Sequence, residues 1–266
     1  MNTCYFCGLT DDRISRDHIW PKWVSRILLR IGRGNVVYHL QSNAESTIAN
    51  WRSAIINVTA ESLCEPCNKK WLGRFENEVV KPVAAPLIWG NDTIILDLQA
   101  QRTLAAWAYK MAMLVIIGGN QLVDPFFRPG ERRAFRDTTV AHSYVWVLLS
   151  KYDFGQRPAH ATNQEHRLSP LDGGAPLILK VITFSVGSLA MQVVAVRSVA
   201  TGELVSGGEL GGVIFEGTAV ETLLPIWPPS FPSLRWPPAR TMDHLAVEQW
   251  TSVWAESFNV RPPFTC

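Results

Sequence analysis

The chain has 266 residues, of which 47% are hydrophobic and 18% charged. That composition speaks against an intrinsically disordered protein and leaves enough chain for a sizeable core in one or two domains. Twenty-five basic residues against 23 acidic ones give a net charge of only +2, so global charge makes no case for a nucleic-acid partner. Five cysteines, an odd number, do not suit a simple disulfide framework, and eleven tryptophans demand large packing surfaces.

Met1-Asn2-Thr3-Cys4-Tyr5 lacks the basic run and apolar stretch of a signal peptide. In chain order, Pro21 suits the first turn of a helix. On that helix Lys22, Arg26, Arg30 and Arg33 fall on one face, and Trp23, Val24, Ile27, Leu28 and Ile31 fall largely on the other. A second helix begins at Lys69-Lys70-Trp71. Pro82 and Pro86 then punctuate the chain and the composition changes. Leu98 to Ile117 reads as a buried helix, stopped by Gly118-Gly119-Asn120. Its apolar run, Leu104 to Gly119, is interrupted by Lys110 and falls short of the roughly 20 residues of a membrane span.

Farther on, Ser143 to Ser150 reads as a strand. Leu177 to Phe184 and Leu189 to Val196 read as a hairpin around Ser185-Val186-Gly187-Ser188. Val213 to Phe215 suits a short strand, and Trp227 to Pro238 is proline-rich and irregular or extended. A final helix covers Met242 to Ser257, with Val247, Trp250 and Trp254 on one face. The expectation is an α+β protein of two parts, 1–80 and 81–266, cytoplasmic and without a membrane partner. In a reducing compartment, paired cysteines serve as metal ligands more often than as disulfides.

The first part carries four of the five cysteines, as Cys4-x-x-Cys7 and Cys64-x-x-Cys67. Each pair is a tight turn that can aim two thiolates at one ion, and two such turns complete the shell of a structural zinc. The alternative is four unrelated buried thiols. The 56 residues between Cys7 and Cys64 exceed a zinc-ribbon interval, so they carry structure of their own. Cys266, the terminal residue, is left as a free thiol.

Asp17-His18 follows Cys7 by ten residues, and Asn68 directly follows Cys67. One zinc holding both turns would bring Asn68 near Asp17 and His18. Asp17 and Asn68 offer oxygen ligands to a hard divalent cation, and a neutral His18 can take a proton from water. The alternative is a solvated Asp-His turn and a helix-capping asparagine.

Cys4-x-x-Cys7, Asp17-His18-Ile19-x-Pro21 and Cys64-x-x-Cys67-Asn68 together resemble the HNH endonucleases, in particular the zinc-stabilised, endonuclease VII-like kind. The chain is also similar to a group of uncharacterised bacterial HNH proteins, in which the Cys-Asn pair is followed by a tryptophan and an acidic residue (here Trp71 and Glu76) and then by an alanine- and tryptophan-rich helix (here Leu104 to Ala108). The HNH part covers roughly residues 1–80. The resemblance implies a ββα-metal module with a four-cysteine zinc, followed by a larger α+β domain that selects substrate or partner. It further implies hydrolysis of nucleic-acid phosphodiester bonds, DNA foremost, leaving 5′-phosphate and 3′-hydroxyl ends. Asp17 and Asn68 would hold one Mg²⁺ or Mn²⁺ and His18 would be the general base. Asn57, seven residues before Cys64, stands for the middle residue that orients the base, although a turn asparagine explains it equally.

From Arg13 to Arg33 six basic residues face one acid. Arg16, Lys22, Arg26, Arg30 and Arg33, with Lys69 and Lys70, are the candidate phosphate contacts; an ordinary solvated helix face is the alternative. Trp227 and Trp236 could stack on bases, or pack inside the second part. Two functional alternatives stand beside the nuclease. One is a non-catalytic zinc-bearing DNA-binding module. The other is a nuclease subunit, as a homodimer or with an activating partner or ligand, silent until engaged, as in a phage-defence effector.

Overall fold

A computed structural model describes residues 2–11, 14–31, 36–42, 47–53, 59–90, 93–118, 126–153, 159–168, 174–205, 222–247 and 249–250. The architecture mixes helix and sheet. A two-residue pair, β1 (Asn2–Thr3) and β2 (Thr10–Asp11), opens the chain, followed by β3 (Ile14–His18) and helix α1 (Lys22–Arg30). Strands β4 (Val36–Ser42) and β5 (Thr47–Ser53) form an antiparallel hairpin. β6 (Thr59–Cys64) returns to pair antiparallel with β3. A long helix then runs over residues 65–89. It contains two π-helical stretches, Pro66–Leu72 and Phe75–Val80, and ends as α2 (Lys81–Trp89). After β7 (Ile94–Asp97) come α3 (Leu98–Gly118), α4 (Pro129–Thr138), β8 (Val145–Lys151), β9 (Ala159–Leu168), β10 (Leu177–Val186) and β11 (Leu189–Ser198), and finally β12 (Leu224–Trp227) and β13 (Ser233–Trp236).

Seven strands form one sheet in the order β12-β8-β11-β10-β9-β4-β5. All neighbours are antiparallel except β4 and β9, which run parallel with Leu40 opposite Ala161. The segment between β3 and β6 is therefore built into the large sheet. β3–β6 and β7–β13 are separate two-stranded pairs.

β10 and β11 are buried throughout their central residues because both faces of the sheet are covered. Ile182, Phe184, Met191 and Val193 join a cluster with α3 on one face. Val181, Val194 and Val196 join Trp146, Leu148 and Tyr152 on the other. The turn at Gly187 is tight, with φ +51°. The Ser188 N–H donates to the Ile88 carbonyl at 3.0 Å, tying the hairpin to the end of α2.

Much of the tryptophan content goes into joining elements. Trp107 on α3 lies against Trp23 of α1 and against Trp20, with ring centroids 5.8 and 6.3 Å apart; Trp20 also meets Phe184 of β10. One hydrophobic cluster thus includes residues on both sides of position 80. Trp236 is fully buried and the indole N–H of Trp227 donates to the His142 carbonyl, so both pack internally.

Several expected elements differ. Pro82 and Pro86 do not interrupt the chain: both lie in α2, and Gly90, at φ +81°, ends that helix. Burial of Val80, Ala84, Leu87 and Ile88 offsets the roughly 3 kcal/mol that an internal proline costs. The proline-rich segment takes the extended alternative over Ser233–Trp236, as strand β13 against β7. The expected strand Val213 to Phe215 and the end of the helix Met242 to Ser257 lie outside the described residues. Among the described residues no helix is long and apolar enough to cross a membrane.

Candidate metal centre

The four sulfurs of Cys4, Cys7, Cys64 and Cys67 lie within 4.8 Å of one another. Local geometry explains how two distant CxxC segments achieve this. The β1–β2 turn is closed by the Cys4 N–H to the Leu9 carbonyl and by the Gly8 N–H to the Cys4 carbonyl, both at 2.9 Å. Gly8 adopts φ +74°, a conformation that glycine accepts without strain. On the other side, Cys64 ends β6 and Cys67 sits in the first turn of the helix. The pairing of Cys64 with Ile14 brings the helix start beside the first turn.

Cys7 Sγ and Cys64 Sγ are 3.7 Å apart, and the cysteines are free thiols. A disulfide would need about 2.05 Å. Four sulfurs each about 2.3 Å from a tetrahedral zinc stand about 3.8 Å apart. The spacing, the burial of Cys4, Cys64 and Cys67, and the soft all-thiol donor set fit a structural metal ion such as zinc.

Protons are unevenly shared among thiols this close. A hydrogen bond from the Cys67 thiol, against the opposing effect of burial, brings Cys4 down to about 4. Cys67, as the donor, is pushed up, and burial pushes Cys64 up to about 11. A bound divalent cation would release those remaining protons.

Aromatic packing anchors this turn to the rest of the molecule. Phe6, between the first two cysteines, is fully buried and meets Trp71 edge-on, with centroids 5.1 Å apart. Trp71 meets Phe135 of α4, and its indole N–H donates to Thr139 Oγ1 at 3.2 Å. The guanidinium of Arg132 lies 4.0 Å over the Tyr5 ring.

Of the residues expected to carry chemistry, His18 ends β3 opposite Thr59, and Asp17 lies opposite Ala60. His18 is half-buried, and its Nδ1 is enclosed with no hydrogen-bond partner among the described residues. Asn68 Nδ2 donates to Ser15 Oγ at 2.8 Å, and that hydroxyl donates to the Leu63 carbonyl at 2.9 Å. The start of the helix is thereby tied to the strand that carries Asp17 and His18. Since Nδ2 is engaged, Oδ1 is the Asn68 atom left for another partner. Asn57, Arg33 and the side chains of Arg16 and Asp17 lie outside what is described. Lys22, Arg26 and Arg30 are exposed along α1, while Trp23, Val24, Ile27 and Leu28 are buried. Lys69 is exposed and pairs with Glu65, and Lys70 is exposed.

Sequence reasoning missed two partners of this region. Ser15 carries no sequence signal. Lys110 does: a lysine inside an apolar helix must find a partner. Its side chain is fully buried, pairs with Glu76, and donates to the main-chain carbonyl of Ile19 at 3.1 Å. Comparison of the chain with protein-family models, with curated proteins and with solved structures finds no match in any of the three.

Proposed function

We propose that the protein is a metal-dependent endonuclease of the HNH type that hydrolyses phosphodiester bonds in nucleic acid, DNA foremost. The observation that carries the reading is the hydrogen bond between Asn68 and Ser15. It joins the residue after the last cysteine to the strand ending in Asp17-His18, beside four cysteines spaced for zinc. A strand pair followed directly by a helix, with these residues at the junction, is the arrangement that the resemblance implies.

In this reading the His18 imidazole takes a proton from the attacking water, and Asn57 orients it. Asp17 and Oδ1 of Asn68 would hold a Mg²⁺ or Mn²⁺ ion, whose chemistry is to stabilise charge on the leaving 3′ oxygen. Ser15, by accepting from Asn68 Nδ2, would leave the amide oxygen for that role. Lys110 and Glu76 hold the backbone just after His18.

The test is plasmid DNA and single-stranded DNA or RNA incubated with the full chain and Mg²⁺ or Mn²⁺, wild type beside His18→Ala. The expected result is metal-dependent cutting that falls by about 100-fold or more in the variant. Cutting that is equal in His18→Ala, or none on any substrate with either ion, would overturn the proposal.

A further inference from the structure

A second feature lies on the opposite side of the same helix. Residues 68, 72, 76 and 80 face the interior: Asn68 meets Ser15, Glu76 meets Lys110, and Leu72 and Val80 are buried. The other stripe, with Lys70, Trp71, Arg74 and Phe75, lines an open groove of about 770 Å³. π-helical bonding (i to i+5) widens each turn, so residues four to five apart stay aligned instead of drifting around the helix. The groove therefore follows the helix, and its other walls come from the start of α3 and the end of α4.

Its chemistry is one-sided. Four cations, Lys70, Arg74, Arg102 and Arg136, converge from three elements, against one lining acid, Glu78. Lys70 and Arg102 have no ion-pair partner among the described residues. The pairs made by Arg74 with Glu78 and by Arg136 with Asp137 are solvent-exposed, hence weak and exchangeable, although Arg136 also interacts with the Cys67 sulfur. Trp71 and the largely buried Phe75 give the lining an aromatic part, and Thr103, Thr138 and Thr139 also line it. The volume lies within the range of about 300–1,000 Å³ typical of ligand sites. Cations around a partly aromatic lining suit a ligand that joins phosphate to a flat ring.

We propose that this groove binds a nucleotide unit, phosphate on the basic rim and base toward Trp71, either as part of a nucleic-acid strand or as a free nucleotide. The proposal does not require the chain to cut anything. If the hydrolase reading holds, the groove lies on the helix that carries Asn68 but on its other side, and would hold substrate apart from that residue.

The test uses the full chain without added divalent cation, so that binding is read apart from cutting. The probes are fluorescein-labelled 12-nucleotide DNA and RNA strands by anisotropy, and ATP by calorimetry. The variants are Lys70→Glu with Arg102→Glu, and Arg26→Glu with Arg30→Glu on α1 as a comparison. Lys70→Gln with Arg102→Gln replaces the first pair if it fails to fold. We expect the groove variant to weaken binding at least tenfold. For a strand, the slope of log affinity against log salt should fall by about 1.4, two contacts at about 0.7 each. Salt-dependent binding of strands with weak ATP binding assigns the strand; the reverse assigns the free nucleotide; both uphold the groove. Wild-type affinity in both groove variants, a loss confined to the α1 variant, or no binding of any probe overturns it. Binding without cutting upholds the groove and counts against the hydrolase, whereas cutting insensitive to the groove variants does the reverse.

Discussion

Lys110 donates a hydrogen bond to the main-chain carbonyl of Ile19, 91 positions earlier, while pairing with the Glu76 carboxylate in the same buried space. Two charges with little access to water stabilise each other only when both are present. Lys110→Met should therefore cost about 3–5 kcal/mol, because the buried Glu76 carboxyl loses its cation. Lys110→Met with Glu76→Leu should recover much of that loss in urea titration. If the double variant is no more stable than the single one, the pair is not the source of the cost.

The four cysteines make a prediction independent of any activity. Purified protein should carry one zinc per chain by elemental analysis, and Cys67→Ser should lose it together with several kcal/mol of stability. The sign with pH follows from the thiols. Burial pushes Cys64 up to about 11, so its proton must leave before sulfur can bind metal. Acidification thus weakens zinc retention. Zinc held equally at pH 5 and pH 8 against a fixed chelator would contradict this.

His142 is a pH-sensitive point elsewhere. Burial lowers its pKa, and its Nδ1 accepts the Tyr144 N–H at 3.1 Å. The folded state therefore favours the neutral ring, whereas the unfolded chain protonates near pH 6.5. Between the lowered value and about 6.5 the unfolded state binds more protons, so stability rises with pH there and is lost on acidification. The urea midpoint of the wild type should drop more between pH 7.5 and pH 5 than that of His142→Asn, whose amide oxygen can still accept the Tyr144 N–H. Parallel curves for the two proteins would rule His142 out.

Gly187 turns between β10 and β11 at φ +51°, and a Cβ there would run into the Ile88 carbonyl, which accepts the Ser188 N–H. Gly187→Ala should destabilise the fold by at least about 1 kcal/mol, through both backbone strain and the displaced end of α2. A thermal midpoint equal to wild type would show that the turn relaxes freely.

Periodicity and turn residues made part of this fold legible. The helix from Pro21, the buried α3 and the β10–β11 hairpin carry strong local patterns, and the two CxxC pairs announce their own proximity. What stayed hidden is non-local. The segment between β3 and β6 could be recognised as structured, but nothing in Val36–Ser42 announces a parallel partner more than a hundred residues away. The Ser15–Asn68 bond depends on register, which a single sequence does not reveal. Lys110 could be seen as an anomaly, yet its partners Glu76 and Ile19 become evident only once α3 is laid against the long helix. β13 was obscured by the prolines around it, which local reasoning weighs more heavily than pairing with β7.

The parallel pairing of β4 with β9 also bears on the order of assembly. Leu40 faces Ala161, so the segment linking β3 to β6 finds its neighbour only after the ribosome has passed residue 163. Pairings of such long sequence separation close late, because loop entropy is lost before contacts repay it. During synthesis β4 therefore lacks its β9 neighbour until that strand has been made.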